Sequence, residues 1–179
     1  RYFRQDNAGA GAARNRGVDM AQGHWMGFLE AYDFWEPDKL AVQMDVFQKN
    51  PNIHMVFGHI QEFYSNDLVE TTTTPANKIP GYDCGCLLIR RQHFLEVGLF
   101  SRGWKIGEFV DWFSKALDKN FQYLPLPQIL YRRRIHSDNL GRRATQWQKD
   151  YTSILKLHLD RRRKKANESK EIPPPLLTT

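Results

Sequence analysis

A small group of acidic residues follows an apolar segment in the stretch FLEAYDFWEP, residues 28–37. Glu30 and Asp33 carry carboxylates, whereas Tyr32 between them is neutral at pH 7. Carboxylates at the end of a strand can hold Mg²⁺ or Mn²⁺, hard cations that prefer oxygen ligands and bridge the phosphates of a nucleotide. The alternative is that these acids only cap a helix that begins near Pro37. The residues by themselves leave both interpretations open.

A second pair of acids, Glu108 and Asp111, stands in the stretch GEFVDWF. They are one helical turn apart and can share a face of a helix. Either carboxylate could accept the proton of a hydroxyl group that attacks a carbon atom, and the alternative is that both are solvated acids in a first helical turn. Two tryptophans, Trp104 and Trp112, flank these acids, and their rings could contact a ligand or pack in the core.

Three arginines and a histidine follow one another in the stretch YRRRIHSDN. Arginine makes bidentate contacts to phosphate oxygens, and the neutral imidazole of His136 can ligate a divalent cation. Pro125 and Pro127 precede this stretch and predict an extended segment, in which alternate side chains point to opposite sides. Arg133 is therefore expected on the side opposite to that shared by Arg132, Arg134 and His136, and at most one of these sets faces a site.

The composition is that of a globular protein of about one domain. Of the 179 residues, 41% are hydrophobic and 13% are aromatic, which is enough for a substantial core. Lys and Arg number 26 against 20 Asp and Glu, and this excess favours a partner that carries phosphates or another anionic surface. Nucleic acid is disfavoured as that partner, because the basic residues fall into two separate clusters rather than one stripe with interleaved exposed aromatic rings.

Further predictions concern the location of the protein and its two cysteines. No apolar run approaches the roughly 20 residues that cross a bilayer, so a cytoplasmic location is predicted, with contact to the inner face of a membrane left open. The RRRKK run at residues 161–165 could contact anionic lipid headgroups, and a solvated helix end is the alternative. Cys84 and Cys86 are predicted to be buried free thiols.

The apolar pattern predicts alternating helices and strands. Helices are predicted over 7–23, 37–50, 92–100, 107–120 and 144–163, and extended strands over 24–29, 53–64, 84–91 and 122–134. The second helix has the inner stripe Leu40, Met44 and Phe47, and the last carries Tyr151, Leu155 and Leu159 and ends at the RRRKK run. Residues 71–83 are predicted to form a surface loop. This alternation predicts an α/β sandwich with a mostly parallel sheet over residues 1–143, then a basic helix at 144–165 and a flexible tail at 166–179.

Four motifs stand in the order GAGAARNRG, FLEAYDFWEPDKL, GEFVDWF and RRRIHSDN. In this order and spacing they resemble the family 2 glycosyltransferases of the GT-A fold, from about residue 5 to about residue 140. The resemblance implies a partial GT-A sandwich of three layers. The family's nucleotide-binding βαβ unit is expected before Arg1, so the chain is interpreted as a fragment.

The resemblance also implies an activity and the residues that carry it. The activity is the inverting transfer of a sugar from a nucleotide-diphosphate donor to a saccharide, lipid-linked or peptide acceptor hydroxyl, with Mg²⁺ or Mn²⁺. Metal ligands are then Asp33 and His136, and the donor is bound by Arg14, Asn15, Glu30, Arg132, Arg134 and His136. The proton acceptor is Glu108 or Asp111, with a slight preference for Asp111, and Trp104 and Trp112 contact a sugar or the acceptor.

Three residues depart from the family's pattern. Glu30 and Tyr32 stand where the family has aspartates, and Phe109 stands where an acid commonly follows Glu108. These departures leave open a catalytically degenerate binding or assembly module on the same scaffold. The chain alone is predicted to be inactive or nearly so, and unpaired sheet edges are expected to favour self-association. For the pair Arg14 and Asn15 the alternative is that they only tie their helix to the edge of the sheet.

Overall fold

The computed structural model describes residues 1–65, 77–137, 139 and 148–171. Its helices are α1 Ala10–Met20, α2 Lys39–Lys49, α3 Arg91–Val97, α4 Glu108–Asp118 and α5 Gln148–Glu171. Its strands are β1 Trp25–Met26, β2 Phe34–Trp35, β3 Met55–Tyr64, β4 Lys78–Pro80, β5 Leu88–Arg90 and β6 Tyr123–Ile135. Residues 71–76 of the predicted loop, 172–179 of the predicted tail and the predicted domain boundary at residue 143 lie outside the described residues.

The sheet is mixed, and the prediction of a mostly parallel sheet is wrong. Its strand order is β1-β5-β3-β6-β2, with β4 beside β3. Only the pair β3 and β6 is parallel among the described strands, and the other pairs are antiparallel. A parallel pair needs a long crossover, which α3 and α4 supply between β3 and β6. The remaining strands are two or three residues long and enter the sheet from turns, so the alternation of helices and strands in the sequence does not predict their direction.

Buried side chains on the two faces of the sheet explain its three layers. One core cluster joins Met55 and Phe57 of β3 to α1, α3 and α4. Another joins Val56, between them in the sequence, to Val46 and Phe47 of α2. Because successive side chains of a strand point to opposite faces, β3 packs a helix layer on each side. The predicted three-layer α/β sandwich therefore holds for the arrangement of layers.

The longest strand pair bends at a glycine. A Cβ atom on Gly58 would lie 2.6 Å from the Leu130 side chain of β6, so only glycine lets the two strands approach there. The pairing register of β3 and β6 shifts on either side of His59, whose Nδ1 lies 2.8 Å from the carbonyl oxygen of Leu126. The extended segment that Pro125 and Pro127 predict is thus present, with an irregularity beside it.

The buried face of α2 differs from the predicted stripe. The buried residues are Lys39, Gln43, Val46 and Phe47, whereas Leu40 is 46% exposed. Gln43 is buried because its side-chain amide donates hydrogen bonds to the carbonyl oxygens of Val56 and Cys86, at 2.9 and 2.8 Å. Two backbone acceptors outside α2 therefore hold a polar side chain in the interior. The apolar periodicity of the helix does not predict such a contact.

Two predicted strands are shorter in the structure. Residues Cys84–Cys86 form a 3₁₀ turn, and only Leu88–Arg90 of the predicted strand 84–91 pair in the sheet. The predicted strand 24–29 pairs only at Trp25–Met26. The acid cluster therefore follows an irregular segment rather than a long strand. Both cysteines are buried and free, as predicted.

The last helix, α5, is packed through a residue that the four-residue spacing of its apolar side chains does not indicate. Tyr151, Leu155 and Leu159 are 47, 58 and 41% exposed, while Ile154 is buried at 2%. Arg161 sets this register, because its guanidinium donates to Asp118 of α4 at 2.6 Å. The helix continues past residues 161–165 to Glu171, since arginine and lysine are good helix formers.

Candidate active site

One cavity brings together Arg14, Glu30, Asp33 and His136, four of the eleven site residues that the sequence predicts. Its volume is about 350 Å³, and it lies where the segment after β1, the turn before the 3₁₀ segment and the end of β6 meet α1. It is lined by Arg14, Glu30, Ala31, Tyr32, Asp33, Asp83, Tyr131, Arg133, His136 and Asn139. The motifs therefore converge in space, although they are distant in the sequence.

Arg14 connects two acids that approach it from different elements. Its guanidinium binds Glu30 through Nη2 at 2.5 Å and Nε at 3.1 Å, and it forms an ion pair with Glu108 of α4. Burial by itself lowers the pKa of Arg14, but Cys84, Glu30 and Glu108 together raise it above its ordinary value. Arg14 is thus a fixed positive charge at the wall of the cavity.

Asp33 is held from two sides by groups of β6. The hydroxyl of Tyr131 donates to one carboxylate oxygen, and the backbone N–H of Arg134 donates to the other at 2.7 Å. Burial raises the pKa of Tyr131 well above its ordinary value, and the bond to Asp33 raises it further. Tyr131 therefore keeps its proton and remains a donor to Asp33 at all ordinary pH values.

His136 lies beside Tyr32 at the mouth of the same cavity. The two rings are 4.9 Å apart between centroids and meet edge to face. The backbone N–H of His136 donates to the side-chain oxygen of Asn139 at 2.5 Å, and Asn139 in turn donates to the carbonyl oxygen of Arg134 at 3.3 Å. Asn139 thus fixes the backbone that presents His136.

The side chains of the three consecutive arginines at 132–134 lie in three different environments. Arg133 lines the cavity. Arg132 forms an exposed ion pair with Glu36. Arg134 lies over the ring of Phe63 at 4.8 Å and lines a neighbouring cavity of about 570 Å³. Arg134 and His136 share this neighbouring cavity, as expected. Arg133 and His136 nevertheless both line the first cavity, contrary to the expectation, because β6 ends at Ile135 and His136 lies beyond the strand's alternation.

Asp111 lies apart from the cavity, inside a closed network. It is 2% exposed, and one oxygen accepts hydrogen bonds from Ser101 and Lys115, both at 2.6 Å. Burial raises the pKa of Asp111, but the bonds from Lys115 and Ser101 outweigh burial and hold the pKa below its ordinary value. Among the two predicted proton acceptors, Glu108 is thus the one beside the cavity.

Three other predicted residues pack away from the cavity. Asn15 is buried and exchanges two hydrogen bonds with the backbone of Phe100, at 2.8 and 2.9 Å, so it ties α1 to the segment after α3. Trp112 is fully buried, and its indole donates to the carbonyl oxygen of Gly98 at 2.8 Å. No face of the Trp112 ring is open to a sugar, so core packing is its place. Trp104 is partly buried beside Asp111.

Asp83, Tyr131 and Asn139 also line the cavity, although the motifs in the sequence did not indicate them. Asp83 precedes the 3₁₀ turn and accepts a hydrogen bond from the backbone N–H of Gly85 at 2.8 Å. Burial raises the pKa of Asp83, and the Gly85 N–H and the charge of Arg133 oppose the rise. A signal existed in the stretch GYDCGC, where an acid stands between a glycine turn and an apolar run.

The cavity offers a limited set of metal ligands. No group of three or more His, Cys, Asp or Glu side chains is placed to hold a metal ion within the described residues. Asp33 and His136 line one cavity, while Glu30 is paired with Arg14. Mg²⁺ commonly binds proteins through one or two carboxylates and completes its shell with substrate phosphates and water. Asp33 and His136 fit that mode of binding, but they do not form a metal site of protein ligands alone.

The profile of the family described as "Glycosyl transferase family 2" matches residues 1–138. The chain belongs to this family. The resemblance inferred from the four motifs is thereby confirmed, including its extent along the chain.

Curated relatives of this glycosyltransferase domain are bacterial. An uncharacterized glycosyltransferase of Rickettsia conorii is 29% identical over an alignment of 161 positions, and the match covers 77% of this chain and 25% of that protein. The Escherichia coli protein named UDP-Glc:alpha-D-GlcNAc-diphosphoundecaprenol beta-1,3-glucosyltransferase WfgD is 31% identical over 86 residues, 45% of this chain and 34% of its own. The chain spans about a quarter of the length of the Rickettsia conorii relative.

The fold resembles that of a solved bacterial structure. TarS of S. aureus, residues 1–349 in complex with UDP-GlcNAc, superposes with a TM-score of 0.65 at 15% identity and covers 89% of this chain and 48% of its own. The mixed α/β fold of this family 2 domain is thus shared with TarS.

Among the described helices, none is long and apolar enough to cross a membrane.

Proposed function

We propose that this domain is part of an enzyme that transfers a sugar from a UDP-linked donor to an acceptor hydroxyl with inversion. The observation that carries the proposal is the single cavity in which Arg14, Asp33, Arg133 and His136 meet, in a chain of family 2. The names of two similar proteins support the donor class, since WfgD is named for UDP-Glc and TarS was solved with UDP-GlcNAc. The acceptor remains a saccharide, a lipid-linked sugar or a peptide.

The cations of the cavity suit a diphosphate. Arg14 of α1 and Arg133 of β6 both line the cavity. A guanidinium group can donate two parallel hydrogen bonds to the oxygens of one phosphate. Charge builds up on the diphosphate as its bond to the sugar breaks, so fixed positive charges beside it lower the barrier. Arg134 faces the neighbouring cavity, and Arg132 pairs with Glu36 on the surface. We therefore assign donor binding first to Arg14 and Arg133, and to Arg134 only at the edge of the site.

A divalent cation would be held by Asp33 and His136 together with phosphate oxygens of the donor. When bound, Mg²⁺ or Mn²⁺ would neutralise charge on the leaving diphosphate. The hydrogen bonds from Tyr131 and Arg134 keep the Asp33 carboxylate oriented before any ion arrives. Glu30 is bound to Arg14, so its role is to orient that guanidinium.

The two acids of α4 receive supporting roles in this proposal. Glu108 is paired with Arg14 and holds it against the cavity from the side opposite to Glu30. Asp111 bridges Ser101 and Lys115 and so fixes the segment between α3 and α4. Asn15 ties α1 to that same region through Phe100. These three residues position the wall of the cavity rather than contact the sugar.

A degenerate binding module is the second candidate, and one observation favours it. Phe109, at the position where the family commonly has an acid, is buried and stacks on Phe113 with ring centroids 6.0 Å apart. A proton acceptor is therefore lost at that position and replaced by core packing. A module of this kind would bind UDP and transfer nothing.

Measurement of UDP binding and sugar transfer by the complete gene product separates the two candidates. An active enzyme binds UDP more tightly with Mn²⁺ present and consumes UDP-glucose or UDP-GlcNAc. Asp33→Asn should remove the Mn²⁺ dependence and the transfer. Asp45→Asn is the matched control, because Asp45 is exposed on α2 and pairs with the exposed Lys49. Unchanged transfer by Asp33→Asn would remove its assigned role, and UDP binding without turnover would establish the binding module.

A further inference from the structure

We propose that Asp83 is the carboxylate that accepts the proton of the acceptor hydroxyl during sugar transfer. This inference rests on the proposed function and names the base that the proposal leaves open. Asp83 lines the cavity together with Arg14, Glu30 and Arg133, in the stretch GYDCGC.

The backbone around Asp83 is tightly packed, so its carboxylate has a defined position. A Cβ atom on Gly81 would lie 2.0 Å from the carbonyl oxygen of Gly58 in β3. A Cβ atom on Gly85 would lie 2.3 Å from the ring of Tyr131. The two glycines therefore let the turn press against β3 on one side and Tyr131 on the other. Asp83 also accepts the N–H of Gly85 at 2.8 Å, which orients its side chain.

Tyr131 links the position of Asp83 to that of Asp33. The Tyr131 ring supports the turn that carries Asp83, and its hydroxyl donates to Asp33. A base must sit beside the reacting carbon while the metal and diphosphate sit at the leaving group. Tyr131 therefore contacts both the turn that carries Asp83 and the carboxylate of Asp33, and it limits how far the two can move apart.

The other acids near the cavity are already engaged with cations or with several donors. Glu30 and Glu108 are both paired with Arg14. Asp33 accepts bonds from Tyr131 and Arg134, and Asp111 is closed off by Ser101 and Lys115. Carboxylate oxygens that already accept from a guanidinium or from several other donors have fewer lone pairs free to accept from an acceptor hydroxyl.

Asp83 has the properties of a better base than these acids. Asp83 accepts a hydrogen bond from a neutral backbone N–H, that of Gly85, rather than from a cation. Burial raises its pKa, with Arg133 and Arg14 opposing and Glu30 adding to the rise. A carboxylate whose pKa lies closer to neutrality takes up a proton more readily in the transition state.

The proposed step balances without any further reactant. The hydroxyl oxygen of the acceptor forms a bond to the anomeric carbon, and its proton moves to the Asp83 carboxylate. The bond from the anomeric carbon to the diphosphate oxygen breaks, and the diphosphate leaves with the electron pair. Asp83 then returns its proton to water. Because attack and departure occur on opposite faces of the carbon, the configuration inverts.

The test uses water as the acceptor, so the natural acceptor need not be known. Hydrolysis of UDP-glucose and UDP-GlcNAc by the complete gene product is compared with that of Asp83→Asn, together with the dissociation constant of UDP. We expect Asp83→Asn to lower hydrolysis by about 100-fold or more, the usual contribution of a general base. UDP affinity should stay within about twofold, since Asp83 does not hold the diphosphate in this proposal.

Asp83→Glu keeps a carboxylate and covers the case in which the asparagine variant folds poorly. It should retain more hydrolysis than Asp83→Asn, because a longer carboxylate still accepts a proton. Asp45→Asn is the surface control. Wild-type hydrolysis by Asp83→Asn, or equal loss of UDP binding and hydrolysis in both Asp83 variants, would overturn this inference alone. A wild-type protein that neither binds UDP nor consumes the donors would instead overturn the proposed function, and this inference with it.

Discussion

The hydroxyl of Tyr131 donates a hydrogen bond to the carboxylate of Asp33, a residue 98 positions earlier in the sequence. This bond joins the core strand β6 to the irregular segment after β1. Tyr131 is 1% exposed, so the bond is made away from water, and it fixes an acid that no regular strand supports. The candidate active site therefore depends on a side chain that sequence motifs did not single out.

Replacing Tyr131 with phenylalanine tests that dependence. Tyr131→Phe keeps the ring and removes the donor, so Asp33 retains only the N–H of Arg134 of the two bonds described. We expect the Mn²⁺-dependent part of UDP affinity to fall about tenfold, the size typical for losing a partner of a metal ligand. Calorimetric titration of UDP with and without Mn²⁺ measures it. Tyr2→Phe is the control, because Tyr2 is 87% exposed, and equal affinities in all three proteins would contradict the role of Tyr131.

Removing Arg14 should affect both stability and binding. Arg14→Gln leaves Glu108, which is 8% exposed, as a buried charge without its cation. Breaking such a pair by deleting one partner costs about 3 kcal/mol, and the half-exposed Glu30 adds little. Chemical denaturation gives the free energy of unfolding, and Arg16→Gln on the exposed side of α1 is the matched control. A variant as stable as the control would show that water already satisfies Glu108.

Glycine at position 85 is required by the ring of Tyr131. Gly85→Ala would place a Cβ atom 2.3 Å from that ring, so the turn or the ring must move. We expect the free energy of unfolding to fall by about 1–3 kcal/mol, as in other overpacked cores. Gly103→Ala is the control, because nothing lies within 4 Å of a Cβ atom there. Urea denaturation measures the free energy of unfolding of both variants. Equal values for the two variants would show that the turn can move to accept the added methyl group.

Because Lys39 is buried, the free energy of unfolding should depend on pH. Its ammonium is fully buried, donates to Gln43 at 2.8 Å and lies 4.3 Å from the centre of the Trp35 ring. Burial lowers the pKa of Lys39 from 10.5 to about 8. Between these two values the unfolded chain binds more protons than the folded one, so the contribution of Lys39 to stability rises with pH. Below about pH 8 both states are protonated, and the full penalty of the buried charge is present.

The comparison of wild type with Lys39→Met isolates this contribution. From pH 8 to pH 10 the wild type should gain stability relative to the variant, by at most about 1.4 kcal/mol per pH unit. Burial also raises the pKa of Cys86 to about 12, and this lowers the stability of both proteins above pH 9, so the rise due to Lys39 is clearest between pH 8 and pH 9. Lys49→Met, on the exposed end of α2, should show no such trend. A difference that is flat with pH would mean that Lys39 stays charged in the folded protein.

Particular residues show which parts of the fold the sequence predicts and which it does not. The family, the three-layer arrangement and the helices around residues 10–20, 39–49 and 108–118 were predicted, because helical spacing and motif order are local properties of the chain. The buried face of α2 was predicted only in part: Phe47 is buried as predicted, whereas Gln43 turns inward toward the backbone carbonyls of Val56 and Cys86. The packing of α5 through Ile154 rather than Leu155 has a similar cause in the contact of Arg161 with Asp118.

The sequence by itself determined which chemical groups this domain carries and in what order, and hence its family. The tertiary structure decided which of them meet: Arg133 rather than Arg132 lines the cavity, Asp111 is closed off, and Asp83 joins Asp33 around Tyr131. It also decided that most strands pair antiparallel. The physical reason is that periodicity and spacing report the conformation of neighbouring residues. The burial of a carboxylate and its choice of partner depend on donors that are close in space and far apart along the chain.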